Sequence, residues 1–399
     1  MNASSVTVSF RTNVSGIDPA LWGACFATPL EGRFWYDTLE GCGLEDQFTF
    51  LYAVIERDGV VVGFAPCFVH DVPISLVAPA PVAAVLGVLS RVYRRVGYQR
   101  TLFVGSPCSD EGTIGLLPGV ALADVIVPLG RALRAKALEL SAPMVVFKDF
   151  PDEALAGLRR LVAAENFFVM ASYPGTVVAL TAPDKAAYIR SLGHTQRHNF
   201  QKKLRRSSEL IELSTNVLMR PSDAELAEIF GLFMQTFERG KTKFERLDIR
   251  FFQQVREKPE ARFVVQRDAK TGEMVTFMLV FHLGTRVINK FIGIDYARAG
   301  KTFLYFRLFD AALDYAYSVG ATEIQSGQTG YRAKFDLGHR LVPLHNVVRH
   351  RNPLIHALFR AIGTRVTWRS LDPDLATYLE AREKKGDGKK REVGGEQRE

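Results

Sequence analysis

Residues 293–327 read GIDYARAGKTFLYFRLFDAALDYAYSVGATEIQSG, and the way this stretch divides decides the fold. It begins at the end of a strand-like run, RVINKFIGI at 286–294. Between Thr302 and Val319, apolar Leu304, Leu308, Ala311, Ala312 and Tyr315 recur at spacings near three and four, the period of a helix with one buried stripe. Gly320 supplies a C-terminal stop, and ATEIQSG follows as a short strand. Strand, turn, helix, strand is the crossover of a parallel α/β pair. Gly-Lys-Thr at the junction invites comparison with a P-loop, but six residues rather than four separate Gly293 from Gly300. The turn Arg298–Thr302 still feeds a helix N-terminus, whose unpaired N–H groups and positive dipole end suit an anion. An anion site and a plain solvated turn are both open readings at this point.

Working outward, ARFVVQRDAKTGEMVTFMLVFHL at 261–283 reads as a hairpin ahead of this crossover. The same order occurs earlier. FLYAVIERDGVVVGFAPCFVH at 50–70 is a hairpin about Arg57-Asp58-Gly59, followed by the strand TLFVG, the helix ADVIVPLGRALRAKALELSA, the strand PMVVFKDF and the helix DEALAGLRRLVAAENF. One α/β unit used twice is expected, each a mixed sheet flanked by helices. We place the first domain at 1–180, the second at 181–370, and a charged tail at 371–399. The end of that tail, AREKKGDGKKREVGGEQRE, is too poor in apolar residues to order itself.

The chain has 399 residues, a length that favours two cores, and its 47% hydrophobic content can fill them. No apolar run reaches the roughly 18–20 residues that span a bilayer, and the N-terminus lacks a basic region followed by an apolar one. A soluble, cytoplasmic protein is expected. Cys25, Cys42, Cys67 and Cys108 form no CxxC pair, which fits reduced buried thiols rather than a zinc site. GxSxG and HExxH are absent, so hydrolase and metalloenzyme chemistry find no support, and no metal is expected.

The net charge of +8 is unevenly placed. PDKAAYIRSLGHTQRHNFQKKLRR at 183–206 holds seven Lys/Arg against one Asp and reads as a helix with Pro183 and Asp184 near its N-terminus. Arg197 and Lys202 are its candidate substrate contacts. A phosphate clamp, a tRNA-facing surface and a solvated linker helix are the three readings of the segment.

The repeated strand–strand–strand–helix–strand–helix order resembles the Gcn5-related N-acetyltransferase fold, and its tandem use resembles the Fem-type aminoacyltransferases and their acetyltransferase-like bacterial relatives. The resemblance rests on YIRSLGHTQRHNFQKKLRR, on 293–327, and on GYRAKFDLGHRLVPL, together residues 188–344. It implies that Arg298, Gly300, Lys301 and Thr302 hold the pyrophosphate of an acyl-CoA donor. The family's Q/RxxGxG/A spacing is absent, which leaves an aminoacyl-tRNA donor as the alternative. Alignment on Gly338 places Lys334 where the family carries a tyrosine proton donor, with Tyr331 one turn earlier. The resemblance thus implies Lys334 as oxyanion stabiliser and Tyr331 as proton donor. An amine nucleophile must be neutral, and Asp295 is the candidate base, with Glu323 the other local carboxylate. Gln328 is a candidate ligand for a substrate amide.

The implied activity is N-acyl transfer from acyl-CoA to an amine of a small-molecule, nucleotide-linked or cell-envelope acceptor. The alternatives are tRNA-dependent aminoacyl transfer to a peptidoglycan precursor and a binding protein that keeps the fold without the chemistry.

Overall fold

A computed structural model describes residues 5–73, 97–240, 245–381 and 383. The strands are β1 (Val6–Arg11), β2 (Phe48–Arg57), β3 (Val60–Pro73), β4 (Tyr98–Val104), β5 (Gly115–Leu116), β6 (Met144–Pro151), β7 (Phe168–Ala171) and β8 (Gly175–Ala179), then β9 (Leu213–Leu218), β10 (Ala261–Asp268), β11 (Met274–Leu283), β12 (Arg286–Ile294), β13 (Glu323–Gln325), β14 (Arg340–Val342) and β15 (Leu344–His350). They form two mixed sheets, β1-β2-β3-β4-β6-β15-β7 with β5 on β3, and β14-β8-β13-β12-β11-β10-β9.

Each sheet contains the expected hairpin. β2 and β3 turn at Asp58 and Gly59, both at positive φ, the backbone a tight two-residue hairpin turn requires. β10 and β11 pair antiparallel from Ala261↔Phe281. Each sheet then carries one parallel pair, β4 with β6 and β12 with β13, joined by helices Leu122–Glu139 and Leu304–Ser318. The latter buries Leu304, Leu308, Ala311, Ala312 and Tyr315, and Gly320 at φ +68° ends it.

The domain boundary expected at residue 180 does not separate the sheets. β8 lies before it yet pairs with β13 and β14, while β15 lies far beyond it and fills the place between β6 and β7. The inner faces share one core, in which Trp35 of the first unit meets Phe251 and Phe281 of the second at ring separations of 5.9 and 5.5 Å.

Two further expectations are corrected. The basic segment is two helices, Lys185–Ser191 and His194–Leu210, because Leu192 is extended and Gly193 starts the second. Asp184 caps the first, accepting from the Ala187 N–H. The charged tail also starts later than residue 371. Residues 373–381 are helical, Leu375 is fully buried, and the Tyr378 ring stacks on Phe335 at 3.8 Å. The stretch 384–399 lies outside the described residues.

Candidate active site

β12 and β13 stay paired for only three residues, Arg286–Ile288 against Glu323–Gln325. Beyond them the chain from β13 follows β8 instead. Ser326 N donates to Thr176 O at 2.9 Å, and Thr176 Oγ1 donates to Gly327 O at 2.8 Å. β12 is meanwhile bulged. Asn289 opposes Val280 and Phe291 opposes Leu279, leaving Lys290 as the extra residue. The two parallel strands therefore part, and the bulge turns Lys290 toward the first unit. Its Nζ lies 2.6 Å from Glu31 Oε1 and 4.6 Å from the Trp35 ring centroid.

The first unit has the corresponding break, because after Val104 the chain follows β3 through Gly105 N to Pro66 O. Its own chain occupies the place. Gly112 N donates to Asp149 O, and a Cβ on Gly112 would lie 2.0 Å from Lys148 O, so only glycine fits. The segment wedged there delivers Ser109, Asp110 and Glu111 to the junction of the two units. Ser109 Oγ donates to Glu31 Oε2 at 2.6 Å, and Asp110 Oδ2 accepts from Gln325 Nε2 at 3.3 Å. Asp110 also packs on Gly327, where a Cβ would meet its Oδ1 at 2.7 Å.

These contacts gather lysines and carboxylates from both halves of the chain into a region of low exposure. Burial raises the Asp110 pKa, and Glu31 adds to the shift against Lys290, Lys334 and Lys148. Burial likewise raises Glu245, opposed by Lys148 and Lys290, and Glu111, opposed by Arg286. For Lys290 burial works against the charge, but Glu31 and Asp110 outweigh it and hold the pKa above the ordinary lysine value. Lys148 pairs with Asp149, whose backbone sits at φ +58° and whose N–H donates to Asn346 of β15. A non-glycine residue held there stores strain of order 1–3 kcal/mol, a feature that clusters at functional sites.

Lys334 lies on the short helix Tyr331–Asp336 and is buried, not at the surface. Its ammonium donates to the carbonyls of Ser326, Gly327 and Gln328, the segment that follows β13. Burial pulls its pKa down to about 8, with Asp110 opposing. His339 completes the arrangement. The Lys334 carbonyl can only accept, so His339 Nδ1 donates to it at 3.0 Å, leaving Nε2 to accept from Ser326 Oγ at 2.9 Å. Asn289 Nδ2 donates to the same Oγ, tying β12 to the end of β13 where the strands part.

The other sequence candidates fall into three groups. Tyr331 is fully buried beside Lys334, its hydroxyl donating to Pro174 O at 2.8 Å, and burial pushes its pKa well up. Gln328 Nε2 donates to Tyr173 O at 3.0 Å, which commits one of its two N–H donors. Asp295, Arg298, Gly300, Lys301 and Thr302 lie together, but in a helix, Tyr296–Thr302, rather than a turn. Asp295 caps it by accepting from Ala297 N, and Arg298 is ringed by Glu273 at 2.5 Å, Asp295 at 3.3 Å and Asp268 at 3.6 Å. Thr302 Oγ1 donates back to Arg298 O. Lys301 is exposed and has no ion-pair partner among the described residues, and Gly300 faces open space. Arg197 donates to Arg190 O, and Lys202 is exposed on the next turn of its helix. Glu323 is paired with Arg286.

Sequence reasoning missed Glu31, Asp110, Lys148 and Lys290. One signal was present: Asn289 and Lys290 interrupt the apolar run that follows Arg286 in RVINKFIGI. Among the described residues no group of three or more His, Cys, Asp or Glu is placed to hold a metal, and no helix is long and apolar enough to cross a membrane.

Two mixed sheets, each with one parted parallel pair and a crossover helix, make up a fold that the chain shares with FemX. The solved structure of FemX superposes with a TM-score of 0.56 at 12% identity, over 88% of this chain and 100% of that one. A conserved protein of unknown function from Bacteroides thetaiotaomicron gives 0.51 at 10% identity, over 86% and 100%. A tandem GNAT protein from the clavulanic acid biosynthesis pathway gives 0.49 at 12% identity, over 88% and 99%. The first two likenesses are of fold alone. No family model matches the sequence, and no curated protein does.

Proposed function

We propose that the protein is an N-acyltransferase that moves an acyl group from acyl-CoA to the amine of a small-molecule or cell-envelope acceptor, in the junction between its two units. The observation that carries this reading is the parting of β12 from β13 with a buried carboxylate and lysines gathered beside it. In this reading the acyl donor enters between the strands. The first unit, whose own break is filled by Gly112, supplies acceptor-side groups instead.

Amide formation requires a neutral amine and removal of its proton as the C–N bond forms. Asp110 is the base we assign in place of Asp295, whose carboxylate is taken up by the Ala297 N–H and Arg298. A raised carboxylate pKa makes Asp110 the better proton acceptor near neutral pH. Lys334 has all three N–H donors committed to carbonyls, so it acts through its charge and through the segment 326–328 that it holds. Tyr331 remains the candidate to protonate the leaving thiolate, which requires its hydroxyl to leave Pro174 O. The donor's phosphates would meet Lys301 and the start of helix Leu304–Ser318, with Thr302 beside them.

The second reading, transfer from aminoacyl-tRNA with Arg197 and Lys202 on the nucleic acid, is favoured by the three carboxylates around Arg298. They neutralise the charge on which the family's pyrophosphate site would draw.

The test is release of free coenzyme A from a panel of acyl-CoAs offered with amine acceptors, run beside discharge of aminoacyl-tRNA. Thiol release that depends on acceptor, and that falls by about 10²–10⁴ in Asp110→Asn, is the expected result. Discharge of aminoacyl-tRNA without thiol release selects the second reading. Neither activity would leave a binding protein of the same fold.

A further inference from the structure

At the opposite end of β15 from Asn346 lies a cavity of about 570 Å³ with no part in the proposed acyl transfer. It is bounded by the end of β15, by helix Pro353–Gly363 and by Asn166, the left-handed residue that ends helix Asp152–Glu165. Among the described residues four arginines line it, Arg349, Arg351, Arg360 and Arg365, and no carboxylate. Among the described residues the side chains of Arg349, Arg351 and Arg360 make no hydrogen bond or ion pair, and Arg365 donates only to Ala361 O in its own helix.

The neighbouring groups do not supply the missing negative charge. Glu165 is the nearby carboxylate, and both its oxygens are taken by Arg131 and Arg134. Burial, followed by Arg134, lowers the pKa of Arg349. The two histidines in the wall add no charge that an anion could not share. His350 N donates to His356 Nδ1 at 3.2 Å, which puts the His356 proton on Nε2, and burial with Arg349 and Arg360 lowers its pKa. Several unpaired guanidiniums around one hollow are a poor arrangement in water and a good one for phosphate oxygens.

The helix that forms one wall carries a second anomaly. His356 and Gly363 face inward, while Leu354, Leu358 and Ile355 are 80%, 53% and 39% exposed. A helix on the surface of a globular protein normally turns its apolar side chains in. Leu354 and Leu358 are one turn apart and so stand together on the outside.

We propose that this face is a membrane-surface site, in which the arginine cavity takes the phosphate of an anionic phospholipid while Leu354, Ile355 and Leu358 enter the boundary of the acyl chains. A soluble phosphate ester or an RNA backbone would satisfy the arginines and leave the leucines in water. A bilayer carrying anionic headgroups satisfies both, which is the pairing of basic and apolar groups that holds interfacial helices. The site lies on the first sheet, away from the parted strands of the second, so it requires neither donor nor acceptor to be known.

The experiment is flotation of the full chain with vesicles of phosphatidylcholine alone and of phosphatidylcholine mixed with phosphatidylglycerol. Binding to the mixed vesicles alone is expected. Each basic group near such a surface contributes about a five-fold factor, so Arg351→Ala with Arg360→Ala should weaken binding about 25-fold. Leu354→Ser with Leu358→Ser should weaken it at unchanged salt dependence. Both pairs are exposed, so the thermal midpoint should hold. Equal binding to neutral vesicles, or binding indifferent to either pair, overturns the proposal. So does calorimetry in which inorganic phosphate or tRNA binds through Arg351 and Arg360 while vesicles do not, which would make this a site for a soluble anion or a nucleic acid. Conversion of a dimer to monomer by the leucine changes, with vesicle binding intact, would make the face a contact between copies and overturn it equally.

Discussion

At Lys334 two demands meet that pull its protonation in opposite directions. Three backbone carbonyls favour the ammonium, because a carbonyl can only accept, while burial favours the neutral amine. Burial prevails, and the pKa falls from 10.5 to about 8. Activity that depends on the charge should therefore decline as pH rises through about 8. His339 cannot be the source of that limb, since burial and Lys334 take its pKa down to about 3 and it is neutral throughout. Stability should run the other way. The folded pKa is depressed below the unfolded one, so this group's contribution is present above about 10.5 and lost as pH falls through about 8. Lys334→Met, which keeps most of the volume, should lower kcat about 10²-fold, in the range of a lost charge-stabilising group, and flatten the limb near 8. Measured against that variant, wild-type stability should rise with pH between about 8 and 10.5. An unchanged kcat–pH profile in Lys334→Met would leave the lysine as a fastener of residues 326–328 and nothing more.

The helix Tyr296–Thr302 shows what an element can hide from sequence. Asp295 as cap and the helix-forming Tyr-Ala-Arg-Ala outweigh one glycine, and Phe303 at φ +51° separates this helix from the next. Arg298 and Lys301, neighbours in the motif, consequently have different surroundings and should have different phenotypes. Arg298→Ala removes a partner of three carboxylates, and we expect a loss of about 1 kcal/mol in chemical denaturation with donor affinity retained. Lys301→Ala should weaken donor binding and leave stability unchanged. Gly300 has open space around it, so Gly300→Asp should fold, and its carboxylate should repel donor phosphates. If titration shows equal donor affinity in Lys301→Ala, Gly300→Asp and wild type, the phosphates bind elsewhere. The apolar period of 304–315 was legible because it depends on neighbours three and four residues away, and Gly320 was legible because few other residues accept its φ. The bulge at Lys290 was not, because it is defined by β11 across the sheet.

For the molecule as a whole, the repeat was readable and the exchange of strands was not, since nothing in GTVVA or LHNVVRH specifies the strands with which β8 and β15 pair. The candidate site shares that origin: Glu31, Asp110, Lys148, Lys290 and Lys334 come from five separate segments and meet only because both sheets and their common core are formed. The exchange also sets how the chain unfolds. A fragment ending at residue 180 would keep β6 and β7 but lack β15 between them, leaving both strands with unpaired edges and the buried faces of Val347 and Val348 without occupants. A fragment starting at 181 would lack β8, on which β13 and β14 both pair, together with the Thr176 contacts that draw residues 326–327 away from β12. Neither half closes its own core, and an unpaired edge invites aggregation. The intact chain should therefore lose both sheets in one cooperative step, with tryptophan fluorescence and far-ultraviolet circular dichroism giving coincident curves in urea. Residues 1–180 expressed alone should be insoluble or unfolded, and co-expression with 181–399 should restore solubility to both, because each then recovers its missing strand from the other. A soluble, cooperatively folded 1–180 fragment, or two separated transitions in the whole chain, would show that the strands are accessory to two independent domains and that the site is assembled by docking instead of by folding.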